Sequence, residues 1–391
     1  MPSSPIRQIL VLAMCQGLLL THGVSMIAVT GLAGRELAPD AGLATLPLTT
    51  YVIGGALTTL PAAFFMRRYG RRAGFSLGTL LGCIGALICA AGVAARSFTL
   101  LCLGTVLCGS YTAFGQQYRF AAADAAEPSW KSRAISLTLA GGILGGVLGP
   151  WASTQTRHLL APAYLGTYLS LAVVALLALL LVSRLRIPPL TAAERATSGR
   201  PLAEIARQPA WLLAVLAAAT GYGVMNLLMT ATPLAMDICR HPYADTAFVL
   251  EWHVIGMFAP SFFTGDLIRR YGVLAVIGTG TALMAGCIAI ALAGVSLMHF
   301  WWALLLLGVG WNFMYIGGTT LLTETYRSEE KAKAQGSNDF IVFAVQGITS
   351  LSSGLLISRQ GWETLNVFAL PAVALTALAT AAYAIKRRRG S

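Results

Sequence analysis

Apolar runs of about twenty residues, each long enough to cross a bilayer as helix, follow one another from residue 8 to residue 385 with only short polar breaks. Inside hydrocarbon no water is present to satisfy backbone N–H and C=O groups, so a spanning segment must be a helix or part of a closed barrel. Barrel strands alternate apolar and polar residues over about ten positions, whereas these runs are apolar throughout. Charged residues make up only 11% of the chain, against about 25% in soluble domains, so little of the surface can face water. The sequence therefore predicts an all-α membrane protein with twelve transmembrane helices, at 8–32, 44–66, 73–93, 98–122, 133–157, 162–184, 210–235, 247–268, 273–294, 300–322, 336–357 and 363–385.

The net charge of +12 invites a nucleic-acid reading that the placement of the charges argues against. With the N-terminus inside, all of the 27 lysines and arginines except Arg35, Arg96, Arg157, Arg240 and Arg359 fall on the cytoplasmic side. Such a bias sets the orientation of membrane proteins. It places both termini in the cytoplasm, with the lipid bilayer and not nucleic acid as the protein's surroundings; a bacterial cytoplasmic (inner) membrane is the expected location. The first apolar stretch is long and lacks a small-residue cleavage site, so no cleavable signal peptide is expected. Six of the seven cysteines fall within spans and read as small packing residues. Cys239 alone lies in an outer loop, so no disulfide framework is implied. It reads as an incidental thiol or as one that touches an arriving metal ion.

The chain repeats itself. Residues 51–70 read YVIGGALTTLPAAFFMRRYG and residues 253–272 read HVIGMFAPSFFTGDLIRRYG, sharing VIG and RRYG without a gap. Leu103 and Gly104 align in the same way with Leu307 and Gly308, bringing Tyr111 onto Tyr315. Duplication of a six-span unit accounts for this. The expected organisation is a bundle at 1–184, a cytoplasmic linker at 185–209 ending in an amphipathic piece (PLAEIARQ), and a second, pseudo-symmetric bundle at 210–391.

With twelve spans, two halves and a cytoplasmic middle loop, the whole chain resembles the major facilitator superfamily. Arg67, Arg68, Gly70 and Arg71 after span two look like that family's loop motif, and Arg269, Arg270 and Gly272 after span eight look like its second copy. Where the motif has aspartate both copies have arginine, Arg67 and Arg269, and Asp266 is placed to substitute electrostatically. The GGILGGVLGP run of span five resembles the family's glycine-proline motif, with Gly145, Gly149 and Pro150 serving either close helix packing or a hinge. The resemblance implies a carrier that works by alternating access, with its site near mid-membrane.

Two pairs of soft side chains narrow the cargo. Met225 with Met229 in span seven and His253 with Met257 in span eight are each spaced i,i+4, so each pair points one way from its helix. At ~1.5 Å rise per residue, Met229 and His253 lie roughly 9 Å below the outer ends of their spans, and Met225 and Met257 roughly 15 Å. Were those faces to meet, four donors would form a ladder suited to Cu(I), because thioether and imidazole favour copper. In the repeat His253 falls on Tyr51 and Met257 on Gly55, so the soft ligands belong to one half only. MNLLM at Met225–Met229 and HVIGM at His253–Met257 are similar to the pairs of the CcoA-like copper importers. That resemblance implies import of copper for cytochrome oxidase assembly, with periplasmic or cytoplasmic copper chaperones as partners. Copper would then be the substrate, with no cofactor held permanently.

Flavin importers belong to the same wider family, and the alternative cargo is a small organic solute such as riboflavin or a drug. Tyr222, Trp252, Phe258, Trp311 and Tyr315 could stack on a planar ring, or serve packing and interface belts. A non-transporting metal sensor is a third reading, disfavoured by the short loops. No phosphate loop, catalytic triad or hydrolytic metal signature appears, so no enzyme activity is expected, and a monomer suffices.

Secondary candidates are His22 and Met26, another i,i+4 pair in span one, and Asn226 and Asn312, which could orient ligands or line a path. Glu251, near the outer mouth, could draw in cations. Arg119 is expected to anchor the inner interface. Asp339 could carry a coupling proton, but the Ser-Asn-Asp at 337–339 reads better as a helix N-cap.

Overall fold

Gly70 and Gly272, the last residues of the two RRYG copies, adopt the same backbone conformation, φ 88° with ψ 161° and φ 89° with ψ 153°. Only glycine takes that region without strain. Each residue ends one helix and begins the next, so the repeated motif is a repeated sharp turn. The neighbouring side chains repeat too: Arg68 lies over the ring of Tyr69 and Arg270 over that of Tyr271, both at 5.3 Å.

The computed structural model describes residues 5–40, 43, 46–187 and 199–389. Much of the expected linker, residues 188–198 with Arg195, lies outside the described residues. Among the described residues the chain is nearly all helix and contains no strand. Among the described residues eleven helices are long and apolar enough to cross a membrane, and a bent pair makes a twelfth. In chain order the spans are Pro5–Leu37, Leu46–Tyr69, Arg71–Ala94, Phe98–Ala125, Pro128–Thr156, Leu165–Val182, Pro209–Ile238, Ala244–Phe258 with Ser261–Tyr271, Val273–Ala293, Leu297–Leu322, Ser328–Ile357 and Arg359–Arg388. The architecture is the twelve-helix, two-bundle arrangement that the sequence predicts. Spans five and eleven begin at 128 and 328 rather than 133 and 336, because the polar stretches before their apolar runs are also helical.

Two compact units divide the chain, Met1–Ala126 with Gly141–Gly199 and Arg327–Phe340, and Glu127–Ala140 with Arg200–Tyr326 and Ile341–Ser391. Each unit thus holds a short polar helix end that the sequence halves 1–184 and 210–391 assign to the other. Side-chain chemistry holds these ends in place. In the first unit the start of span eleven is held by Asp339 against Arg119, Gln335 under Arg71 and Lys331 beside Asp124. In the second, Ser132 donates to the Gly265 carbonyl at 3.1 Å, Ser136 donates to the Ser261 carbonyl, and Arg133 pairs with Asp266.

Small residues set the close approaches. Gly141, Gly145 and Gly149 of span five lie against span one, and a methyl group at Gly141 would overlap the Ala13 carbonyl. The glycine run therefore lets spans one and five approach closely. In the second unit span ten is the shared neighbour: a methyl at Gly308 would come within 2.5 Å of the His253 carbonyl, and one at Gly318 within 2.8 Å of the Ala214 carbonyl. Spans seven and eight each pack against span ten far more extensively than against one another.

Candidate functional site

Span eight bends by 43° at Ala259 and Pro260. Proline has no N–H to continue the helix ladder, and the bend leaves carbonyls of the preceding turn unpaired. A buried side chain of span ten takes up one of them. Asn312 Nδ2 donates to the Met257 carbonyl at 2.6 Å and to Ser261 Oγ at 2.5 Å, while Thr264 Oγ1 donates to Asn312 Oδ1 at 2.7 Å. Asn312 thus staples a broken helix. Both N–H donors of its amide and one lone pair of its oxygen are taken by span eight.

One turn from this staple four aromatic rings from three spans come together in the second unit. Trp311 and Tyr315, i,i+4 on span ten, stack with centroids 5.2 Å apart and planes at 21°. Tyr222 of span seven stands edge-on to both, 5.2 Å from Trp311 and 4.7 Å from Tyr315. Phe258, just before the bend, closes the cluster 5.6 Å from Trp311. Trp311, Tyr315 and Phe258 are buried, whereas Tyr222 is half-buried and is the ring the cluster presents. Edge-to-face and offset stacks are the favourable aromatic geometries, so Trp311 and Tyr315 hold Tyr222 in place, with Phe258 against Trp311. Asn226 shares the helix face of Tyr222 one turn on, and its Nδ2 donates to the Gln346 carbonyl at 3.1 Å and to Thr349 Oγ1 at 3.2 Å. Span seven is thereby fixed to span eleven. Trp252 stands apart from the cluster: it is exposed and packs with Phe248 and Trp301, the arrangement of an interfacial belt.

The soft-ligand residues have the following surroundings. His253 is fully buried, and its Nδ1–H donates to the Leu304 carbonyl of span ten at 2.8 Å, while Nε2 has no hydrogen-bond partner. Met225 and Met257 are buried and Met229 is half-buried. Among the described residues no group of three or more His, Cys, Asp or Glu side chains is placed to hold a metal ion. In the first unit His22 is fully buried edge-on to Tyr111, 5.3 Å between centroids. Met26 accepts a hydrogen bond at sulfur from Thr30 at 3.1 Å, and Thr30 in turn meets the Tyr168 hydroxyl at 3.0 Å. Both residues are thus packed within their own unit. Glu251 is exposed, and Cys239 is half-buried at the end of span seven.

Charges concentrate near the arginine-rich helix ends. Arg119 and Asp339 form an ion pair with side chains only 1% and 2% exposed. Asp339 also accepts from Gln117 at 2.8 Å and from Asn338 at 2.9 Å. Asp339 lies inside the helix begun at Lys331 and caps nothing, which corrects the N-cap expectation. Sequence alone misread it because the polar residues before it resemble a loop. Arg71 of the loop motif donates to Asp124 at 3.1 Å, to Gln117 at 2.8 Å and to Gln335 at 2.6 Å. Asp266 lies 3.8 Å from Arg269 in addition to its pairing with Arg133.

A twelve-helix membrane bundle built by duplication, with repeated RRYG turns and no strand among the described residues, defines a class of solute carriers. The model of the Major Facilitator Superfamily matches residues 10–345, and the chain belongs to that family. It is 44% identical to the riboflavin transporter RfnT of Brucella anthropi over 372 residues, 94% of each chain. It is also 29% identical to the uncharacterized MFS-type transporter YdeG of Bacillus subtilis, over 87% of this chain and 83% of that one. Among solved structures, the proton:xylose symporter XylE superposes with a TM-score of 0.79 at 14% identity, covering 96% of this chain and 95% of that one. At that identity the likeness speaks for the fold alone.

Proposed function

We propose that this protein carries riboflavin across the bacterial cytoplasmic membrane. The observation that carries the reading is identity of 44% over nearly the whole chain to a riboflavin transporter. The aromatic cluster suits such a cargo. Riboflavin has a flat tricyclic ring with a polar edge and a neutral polyol tail, and stacking on an aromatic side chain contributes about 1–3 kcal/mol per ring in nucleobase recognition. Tyr222 is the stacking ring, backed by Trp311 and Tyr315, and Asn226 one turn on, its Nδ2 held by span eleven, turns its Oδ1 acceptor to the polar edge. The arginine-rich ends of the helices face the cytoplasm, as the positive-inside bias implies. Transport proceeds by alternating access and involves no catalysis. Expression in a bacterial strain that neither synthesises nor takes up riboflavin tests the reading: growth on low external riboflavin supports it, and failure of the membrane-inserted protein to restore growth refutes it.

Copper transport retains one supporting observation, the bare and buried Nε2 of His253. A histidine whose Nδ1–H is held by a carbonyl offers Nε2 as a metal ligand. Cellular copper content, measured with and without the protein in the same strain, separates the two cargoes.

A further inference from the structure

Spans nine and twelve of the second unit are joined at one end and part toward the other. At the joined end Trp362 Nε1 donates to the Ala291 carbonyl at 3.1 Å, and its ring lies 5.3 Å from that of Phe300. Toward the arginine-rich end alanine and glycine replace bulky side chains. A methyl group built on Gly278 would find only Thr380, at 3.9 Å. The result is a groove of about 800 Å³ floored by residues such as Ala275, Ala282, Ala377 and Ala381, and ended by Tyr271, Arg387 and Arg388. Along span nine its lining runs from Leu274 to Ala285, about 17 Å at the helical rise. One leaflet of a bilayer is about 15 Å of hydrocarbon. The groove is therefore long enough for an acyl chain, and its volume lies in the range of small-molecule sites.

The two ends of the groove differ in chemistry. The floor is apolar, and its threonines are internally satisfied, Thr281 to the Ile277 carbonyl at 2.9 Å and Thr380 to the Thr376 carbonyl at 2.7 Å. The open end carries exposed Arg387 and Arg388. Arg387 has Glu324 as an ion-pair partner only at 3.7 Å, with both side chains about half exposed. An exposed pair at that distance contributes little and yields readily to a phosphate, with which arginine forms strong bidentate bonds. Basic pockets between helices on the cytoplasmic side are sites for anionic lipid headgroups.

We propose that the groove between spans nine and twelve binds an anionic phospholipid of the inner leaflet, its acyl chain along the alanine floor and its phosphate on Arg387 and Arg388. The inference rests on the orientation proposed above and is independent of the cargo.

Native mass spectrometry of the full-length protein, titrated with phosphatidylglycerol or with phosphatidylcholine of the same chains, tests it. Preference for the anionic lipid should fall about 30-fold in the Arg387→Gln/Arg388→Gln variant, since each basic side chain near the surface contributes about fivefold. Ala282→Leu/Ala377→Leu, which fills the floor, should weaken both lipids alike. The unfolding midpoint in detergent, measured on the same preparations, verifies that each variant is folded and should not change. Equal binding of the two lipids by the unaltered protein, or an undiminished anionic preference in the arginine variant, overturns the proposal. So does a groove occupied by a second copy of the chain, seen as a dimer mass that the leucine variant abolishes.

Discussion

Tyr222 of span seven stands edge-on to Trp311 of span ten, ring centroids 5.2 Å apart and planes at 86°. The geometry ties a half-buried ring to a buried one, so Tyr222 is pre-positioned rather than free to swing. We expect Tyr222→Ala to weaken riboflavin binding at least about fivefold, the lower bound for loss of one stacked ring. Tyr222→Phe should retain most of the affinity. Quenching of riboflavin fluorescence by the purified protein gives both dissociation constants.

Asn312 gives a prediction about stability. Its amide serves the Met257 carbonyl, Ser261 and Thr264 together. Asn312→Leu leaves buried polar groups unpaired at the bend of span eight and should destabilise the protein by about 2–3 kcal/mol. Asn312→Asp, similar in shape, places a charge there and should be no better. The unfolding midpoint in detergent reads the difference.

Arg119 and Asp339 are both buried, and removing one partner strands the other. Asp339→Ala alone should cost about 3–5 kcal/mol. Adding Arg119→Leu to Asp339→Ala should recover part of that loss, because two apolar side chains need no partner. A double variant no more stable than the single one would show that the pair's other bonds, to Gln117 and Asn338, dominate.

The two RRYG turns allow a comparison within one molecule. Gly70 and Gly272 share a conformation closed to other residues, so Gly70→Ala and Gly272→Ala should each cost about 1–3 kcal/mol. Gly278→Ala, which meets nothing closer than 3.9 Å, should instead stabilise by up to about 1 kcal/mol, since alanine is the better helix residue. Folded yield in membranes and the melting midpoint rank the three variants.

What could be read in advance follows the range of each interaction. Span number, duplication and the shared turn are local or periodic properties, and the repeat of RRYG located both turns. The starts of spans five and eleven were misplaced because their first helical residues are polar, held by Ser132, Ser136 and Asp339 and not by hydrocarbon. The Met225–Met229 and His253–Met257 pairs are visible as spacing within a helix. Spacing carries no information on which neighbour a helix face meets, and span ten lies against both helices. The aromatic cluster has the opposite character: Tyr222, Phe258, Trp311 and Tyr315 have no common spacing, and only the folded second unit brings them together. Nor could the sequence reveal that the Met257 carbonyl, left open at the bend, would lie level with Asn312.

Uptake into liposomes tests the central claim most directly. Purified protein, reconstituted alone, should accumulate radiolabelled riboflavin saturably, with uptake reduced by Tyr222→Ala and unaffected by cuprous ion at equal concentration. Liposomes that take up copper through His253 and exclude riboflavin would contradict the account.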